Sequence, residues 1–297
     1  MGDPVLLYGV GATKAGTSWF YDYIQSHPQA HLRGVKELHY WDTFDPGERE
    51  VYTGNIQDYR AGLKAKLQNA IDYDKPKWAN TLRRNIKEAT AAIDMLNGDR
   101  SADAAYYQFM TENAAGARVA GDITPAYALC DEATLARMQT LAPTAKFIYL
   151  IRDPVARLWS HIRMIAQRRG GNDGRFPIRT NRILGRAVDG QENGMLDRGD
   201  YATVIEKLRR NVEADNLLVM FFEDLFTEEG IRHICAFLGL DYHPAQTDKT
   251  YFGSKPRDMS EEQRAKAARL LAPQYAYIEA LFGHMPDDWT NNREAAA

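Results

Sequence analysis

Val5 to Tyr23 reads VLLYGVGATKAGTSWFYDY, and this stretch decides the fold. Val5 to Val10 is a short apolar run with β-branched and aromatic members, which predicts a buried strand. Gly9, Gly11 and Gly16 supply a small-residue turn. Thr17 and Ser18 then open an amphipathic helix with Trp19, Phe20, Tyr23 and Ile24 among its apolar positions. A glycine loop between strand and helix aims backbone N–H groups at one point, and the helix N-terminus adds partial positive charge there. Lys14 adds a full charge. The stretch therefore predicts a cradle for a phosphate or sulfate oxyanion, against the alternative of an ordinary glycine turn before a helix.

Two familiar loops do not fit. Gly11 and Gly16 have the spacing of the nucleotide P-loop, but Thr17 stands where that loop has its lysine. Lys14 occupies the place of the third glycine in the dinucleotide fingerprint. Lys14-Ala15-Gly16-Thr17-Ser18-Trp19 instead resembles the 5′-phosphosulfate loop of sulfotransferases that use 3′-phosphoadenosine 5′-phosphosulfate, PAPS.

Outward from this stretch, the chain alternates strands and helices. Lys146 to Ile151, KFIYLI, is a second buried strand, and Asp153-Pro154 starts a helix directly after it. Leu217 to Phe222 is a third strand, and Val119 to Ile123 a short one. Helices are expected over Asn80 to Leu96, Ser101 to Asn113, Asp131 to Leu141, Asp200 to Ala214, Thr227 to Leu238 and Ser260 to Leu281. The last opens with the capping-box pattern Ser260-Glu261-Glu262-Gln263. This order predicts an α/β fold with a central parallel sheet flanked by helices. It predicts one domain over residues 1–290 and a frayed tail over 291–297. Lys14 and Arg152 both follow strands, so both belong on the sheet edge where such folds bind ligands.

The second informative stretch is Ile151-Arg152-Asp153-Pro154, with Arg157 and Ser160 following at fixed spacing. An arginine fork matches phosphate oxygens, and a serine on the same helix adds a hydroxyl. Taken alone, Arg152 has an ordinary alternative in an ion pair with Asp153 or Asp224. The pattern resembles the 3′-phosphate motif of sulfotransferases. Gly121 to Tyr127, Leu217 to Leu240 and Tyr251 to Arg257 resemble further segments of that family. The resemblance implies a P-loop-kinase-like sulfotransferase fold and PAPS as donor, with adenosine 3′,5′-bisphosphate as product. It implies that Thr13, Lys14, Ala15, Gly16, Thr17, Ser18 and Trp19 surround the 5′-phosphosulfate. Arg152, Ser160, Lys255 and Arg257 would hold the 3′-phosphate.

Lys36 to Asp42, KELHYWD, resembles the K-E-x-H segment of the heparan sulfate sulfotransferase branch and related bacterial enzymes. That resemblance implies Glu37 as catalytic base and His39 near the acceptor. A carboxylate or imidazole suits the task, because a hydroxyl or amine must lose a proton as it attacks sulfur. The plain alternatives are a Glu37 pair with Lys36 or Arg33 and a packed His39. Ile123 stands where the heparan 3-O branch often has lysine, and Pro256 where its late loop often has glycine. The acceptor is therefore left as a sugar, lipid, peptide or natural product, small molecule or carbohydrate. An ATP-dependent small-molecule kinase and a non-catalytic nucleotide-binding module are the competing readings.

Composition sets the remaining bounds. The 297 residues carry a net charge of −3, so no bulk attraction to nucleic acid or an anionic membrane is predicted. Two cysteines, Cys130 and Cys235, do not make a disulfide framework. With no signal-peptide pattern and no membrane-length apolar run, a cytoplasmic protein is expected. No His/Cys cluster has metal-ligand spacing, so no metal is expected. Arg163 to Arg186, rich in arginine and glycine, reads as a mobile lid or a solvated loop. Tyr40, Trp41, Tyr59 and Trp78 are candidates for walling an acceptor pocket or for core packing. Oligomeric state is not legible.

Overall fold

The computed structural model describes residues 2–170, 173–246 and 255–295. The opening stretch forms β1 (Val5–Gly11) and α1 (Thr17–Ser26), and β2 (Ala30–Leu32) follows. A long helical excursion comes next: α2 (Pro46–Asp72), α3 (Pro76–Asn97) and α4 (Ala104–Thr111). The chain returns through β3 (Val119–Ile123), α5 (Glu132–Thr140) and β4 (Ala145–Ile151) to α6 (Pro154–Arg168) and α7 (Phe176–Val188). It then runs through α8 (Asn193–Leu196), α9 (Tyr201–Asn211), β5 (Leu217–Phe221), α10 (Glu228–Leu238), α11 (Glu261–Phe282) and α12 (Thr290–Glu294).

The five strands pair in parallel in the order β2-β3-β1-β4-β5. Helices cover both faces, so β1 and β4 are buried almost end to end, and this is why both read as unbroken apolar runs. The chain leaves β1 toward β3 and β2, then crosses to β4 and β5. That reversal puts the loop after β1 between the carboxyl ends of β3 and β4, the usual ligand crevice of such sheets. The Ala12 N–H donates to the Leu150 carbonyl at 2.7 Å, holding the start of this loop against the end of β4.

Several local expectations are met with their caps. The Asp153 carboxylate accepts from the Ala156 N–H at 2.6 Å and starts α6. Thr227 caps α10, and Gly239 closes it at φ 69°. Ser260 and Gln263 form the reciprocal capping box of α11. One expectation is corrected, and two features go beyond the sequence reading. The arginine-rich section is largely helical: Arg163 and Arg168 lie on α6, and Arg179, Arg182 and Arg186 on α7, whose Phe176, Thr180, Ile183, Leu184 and Ala187 are buried at helical spacing, with Arg169 and Arg175 between the two helices. Strand β2 is absent from the sequence reading. The tail from 291 is helical through Glu294, and the Asn292 amide donates to Asp153 at 2.8 Å.

Helices α2 and α3 form an antiparallel pair beside the main core. Ile56, Leu63 and Ala70 recur at seven-residue spacing on α2, and Leu63 and Ala70 close with Ala79 and Leu82 into a small apolar cluster. Tyr40 and Trp41 are buried in the main core, and Tyr59 faces the ligand crevice.

Candidate active site

Gly16 makes the turn from β1 into α1. Its φ is +86°, and a Cβ there would lie 2.7 Å from the Phe222 ring, so only glycine fits without strain. No side chain caps α1, and the first-turn N–H groups point toward the crevice as an anion seat. Lys14 stands in the same loop at φ 74°. Its Nζ has no partner among the described residues. Burial first, then Arg152, Arg163, Arg168 and Lys36, push its pKa below the ordinary lysine value.

Arg152 emerges from β4 beside this loop. Its backbone is clamped by Tyr201, whose hydroxyl donates to the Arg152 carbonyl at 2.6 Å and accepts from the Arg152 N–H at 3.2 Å. Its guanidinium packs over Phe222, 4.7 Å from the ring centre, and donates to the Lys14 carbonyl at 3.3 Å. It makes no ion pair among the described residues. Asp153 is committed elsewhere, accepting from Tyr275 at 2.8 Å and from Asn292. Ser160, nearly buried on α6, lines the same crevice.

After β2 the chain turns back toward α1 through strained backbone. Glu37 has φ 58° and His39 φ 53°. Six non-glycine residues have positive φ among the described ones; three are Asp or Asn, which tolerate it, and the others are Lys14, Glu37 and His39. Such strain persists where the surroundings over-determine a conformation, and functional sites are its usual place. The side chains form one polar line. Lys36 Nζ donates to Ser18 Oγ at 2.6 Å and pairs with Glu37 Oε1 at 3.1 Å. Glu37 Oε2 lies 4.0 Å from His39 Nε2, and His39 Nδ1 lies 2.8 Å from Asp42 Oδ2. Tyr52 of α2 stacks on the His39 ring at 3.8 Å. Arg33 points away, paired with Glu112 at 2.8 Å.

These three segments meet around one cleft of 2210 Å³. Of the residues singled out in the sequence, Thr13, Lys14, Gly16, Thr17, Ser18, Trp19, Glu37, His39, Arg152 and Ser160 line it. Ala15 is buried behind the loop. The Lys255 N–H donates to Gln167 Oε1 at 3.0 Å. Trp159, next to Ser160, donates its indole N–H to the Arg257 carbonyl at 2.7 Å. The Arg257 guanidinium turns away to α7, donating to Pro177, Thr180 and Asn181. Tyr251 to Ser254 lie outside the described residues. Trp78 is exposed and does not line the cleft.

Sequence reasoning missed Asp42, Tyr52, His161 and Arg198. Asp42 had a signal, three residues after His39 within KELHYWD. His161 stands next to Ser160, and Tyr52 and Arg198 come from distant segments. Seven Lys and Arg line the cleft against two Glu, in a chain whose net charge is −3. Lys14 and Arg152 face it without carboxylate partners, so a ligand with two anionic ends complements it. No group of three His, Cys, Asp or Glu suited to a metal occurs among the described residues. None of the described helices is long and apolar enough to cross a membrane.

A model described as "Sulfotransferase family" matches residues 7–244. No curated protein matches. Among solved structures, a sulfotransferase from Alicyclobacillus acidocaldarius is 20% identical, with a TM-score of 0.60 over 98% of this chain and 100% of that one. The sulfotransferase domain of the Synechococcus PCC 7002 olefin synthase is 19% identical, with a TM-score of 0.43 over 82% and 77%. The first of these has the same fold.

Proposed function

Because the chain belongs to the sulfotransferase family, we propose that its cleft binds PAPS and that Glu37 activates a hydroxyl or amine acceptor against it. Bound PAPS supplies the sulfuryl group, and adenosine 3′,5′-bisphosphate is the product left behind. The observation that carries the reading is the pair of cations without carboxylate partners, Lys14 and Arg152, beside an uncapped helix N-terminus. The fit is local. Gly16 leaves no Cβ between the loop and Phe222, and the first-turn N–H groups of α1 with Thr17 and Ser18 suit the 5′-phosphate oxygens.

Each residue has a role its position supports. Lys14 stabilises the charge that grows on the bridging oxygen as the sulfur–oxygen bond breaks. Arg152 offers a planar fork and Ser160 a hydroxyl to the 3′-phosphate. Lys255 meets α6 at Gln167, two turns beyond Ser160, and would reach that phosphate from there. Arg257 holds this segment in place through α7 and Trp159, a positioning role. Glu37 takes the acceptor proton as the new bond to sulfur forms, and Lys36 holds the carboxylate toward Ser18. Asp42 orients His39 beside it. Most of the rate then comes from positioning and fixed charge. The acceptor is a small molecule or carbohydrate. Two buried free cysteines accord with a cytoplasmic setting.

Calorimetry tests this directly. Adenosine 3′,5′-bisphosphate is expected to bind and ATP–magnesium to bind weakly; the reverse order would replace sulfuryl transfer with phosphoryl transfer.

A further inference from the structure

Helix α6 turns one residue into the cleft that the reading above leaves unused. His161 is 5% exposed, and neither ring nitrogen has a hydrogen-bond partner among the described residues. Nδ1 is buried, so the ring lines the cleft with its other edge, the one bearing Nε2. One helical turn earlier on the same helix stands Arg157, fully buried. It donates one N–H to the Met195 carbonyl at 3.3 Å and leaves Nε and Nη1 unpartnered.

A guanidinium only donates hydrogen bonds. No hydrogen bond joins the two side chains, but a positive charge beside the ring favours the lone pair on the buried Nδ1 edge and the proton on Nε2. Burial first, then the charges of Arg157, Arg198, Lys14 and Arg168, push the His161 pKa down to about 3, so the ring is neutral. A neutral imidazole with Nε2–H facing an anion cleft is a hydrogen-bond donor that does not titrate at working pH, as in other enzymes that polarise an oxygen with an uncharged histidine.

We propose that His161 is a catalytic residue whose Nε2–H donates a hydrogen bond to an oxygen of the sulfuryl group beside Lys14, with the Arg157 charge favouring that tautomer. This rests on the PAPS reading above. His161 gives up no proton in the transfer. The acceptor proton goes to Glu37, the sulfur–oxygen bond to the 5′-phosphate breaks as the acceptor–sulfur bond forms, and the Nε2–H bond holds one of the three non-bridging oxygens through both.

The test compares affinities for PAPS and for adenosine 3′,5′-bisphosphate, which differ by the sulfuryl group. In His161→Phe, PAPS affinity is expected to fall about ten-fold while bisphosphate affinity changes less than about two-fold. His161→Gln, which keeps a donor near the Nε2 position, recovers most of the loss. An unchanged ratio of the two affinities in His161→Phe overturns the proposal and leaves the donor reading intact. Failure of the wild type to bind the bisphosphate overturns both. Should His161→Phe not fold, nitrogen-15 NMR of the wild-type ring decides. Protonation at Nε2, with that resonance shifting on adding PAPS but not bisphosphate, supports the proposal; protonation at Nδ1, or no difference between the ligands, overturns it.

Discussion

Replacing Gly16 with alanine couples the anion loop to the arginine that faces it. At φ +86° an L-residue costs roughly 1–2 kcal/mol relative to glycine. The new Cβ would lie 2.7 Å from Phe222 Cδ2 and 2.9 Å from Leu225 Cδ1. Leu225 is fully buried, so relief falls mainly on the Phe222 ring, and overpacking of this kind costs roughly 1–3 kcal/mol. The total destabilisation is about 2–5 kcal/mol, which lowers Tm by roughly 3–8 °C in a chain of this size. The displaced ring is the one under the Arg152 guanidinium. Affinity for adenosine 3′,5′-bisphosphate is therefore expected to fall about ten-fold as that cation–π support is lost. Denaturation and calorimetry on Gly16→Ala, Phe222→Ala and the double variant separate the contributions. Removing the ring first should leave mainly the backbone cost, giving a coupling of about 1–2 kcal/mol. A Gly16→Ala protein with unchanged Tm and nucleotide affinity, or a strictly additive cycle, would refute the reasoning.

Lys14→Ala should cut turnover about a hundred-fold or more, measured by labelled sulfuryl transfer. Because burial and four neighbouring cations disfavour the Lys14 charge, the same variant should be no less stable than the parent without ligand, as chemical denaturation would show. Glu37→Gln should lose about 10²–10⁴ in turnover while binding the bisphosphate normally; equal turnover removes Glu37 from the mechanism. His161 makes stability pH-dependent. Its folded pKa of about 3 lies below the ordinary value of 6.5, so the unfolded chain binds the extra proton between them. Stability should fall as pH drops from 6.5 toward 3, by at most about 1.4 kcal/mol per pH unit from this group, and His161→Phe should flatten that slope.

Much of the sheet was legible because its signals are local. The runs at Val5 and Lys146, the Asp153-Pro154 start and the Ser260 box each lie within a few residues. Strand β2 has only Ala30, His31 and Leu32, and exists through its register with β3, a partner far away in the chain. Helix α7 was hidden by its arginines: Arg182 and Arg186 are exposed, while Arg179 packs back on α6 and donates to the Ala166 carbonyl. The site divides the same way. Lys14, Glu37, Arg152 and Ser160 sit in contiguous motifs, and the fold brings their segments to one cleft. Arg198 and Tyr52 have no motif. They reach the cleft because the α8–α9 turn and α2 pack around it. His161 was in view beside Ser160, but only burial and the unpartnered Arg157 make it distinctive.

A crystal structure with adenosine 3′,5′-bisphosphate tests the central claim most directly. The 5′-phosphate is expected on the Thr17 and Ser18 turn near Lys14, and the 3′-phosphate on Arg152 and Ser160. Nucleotide bound away from both the early lysine and the arginine after β4 would contradict the account.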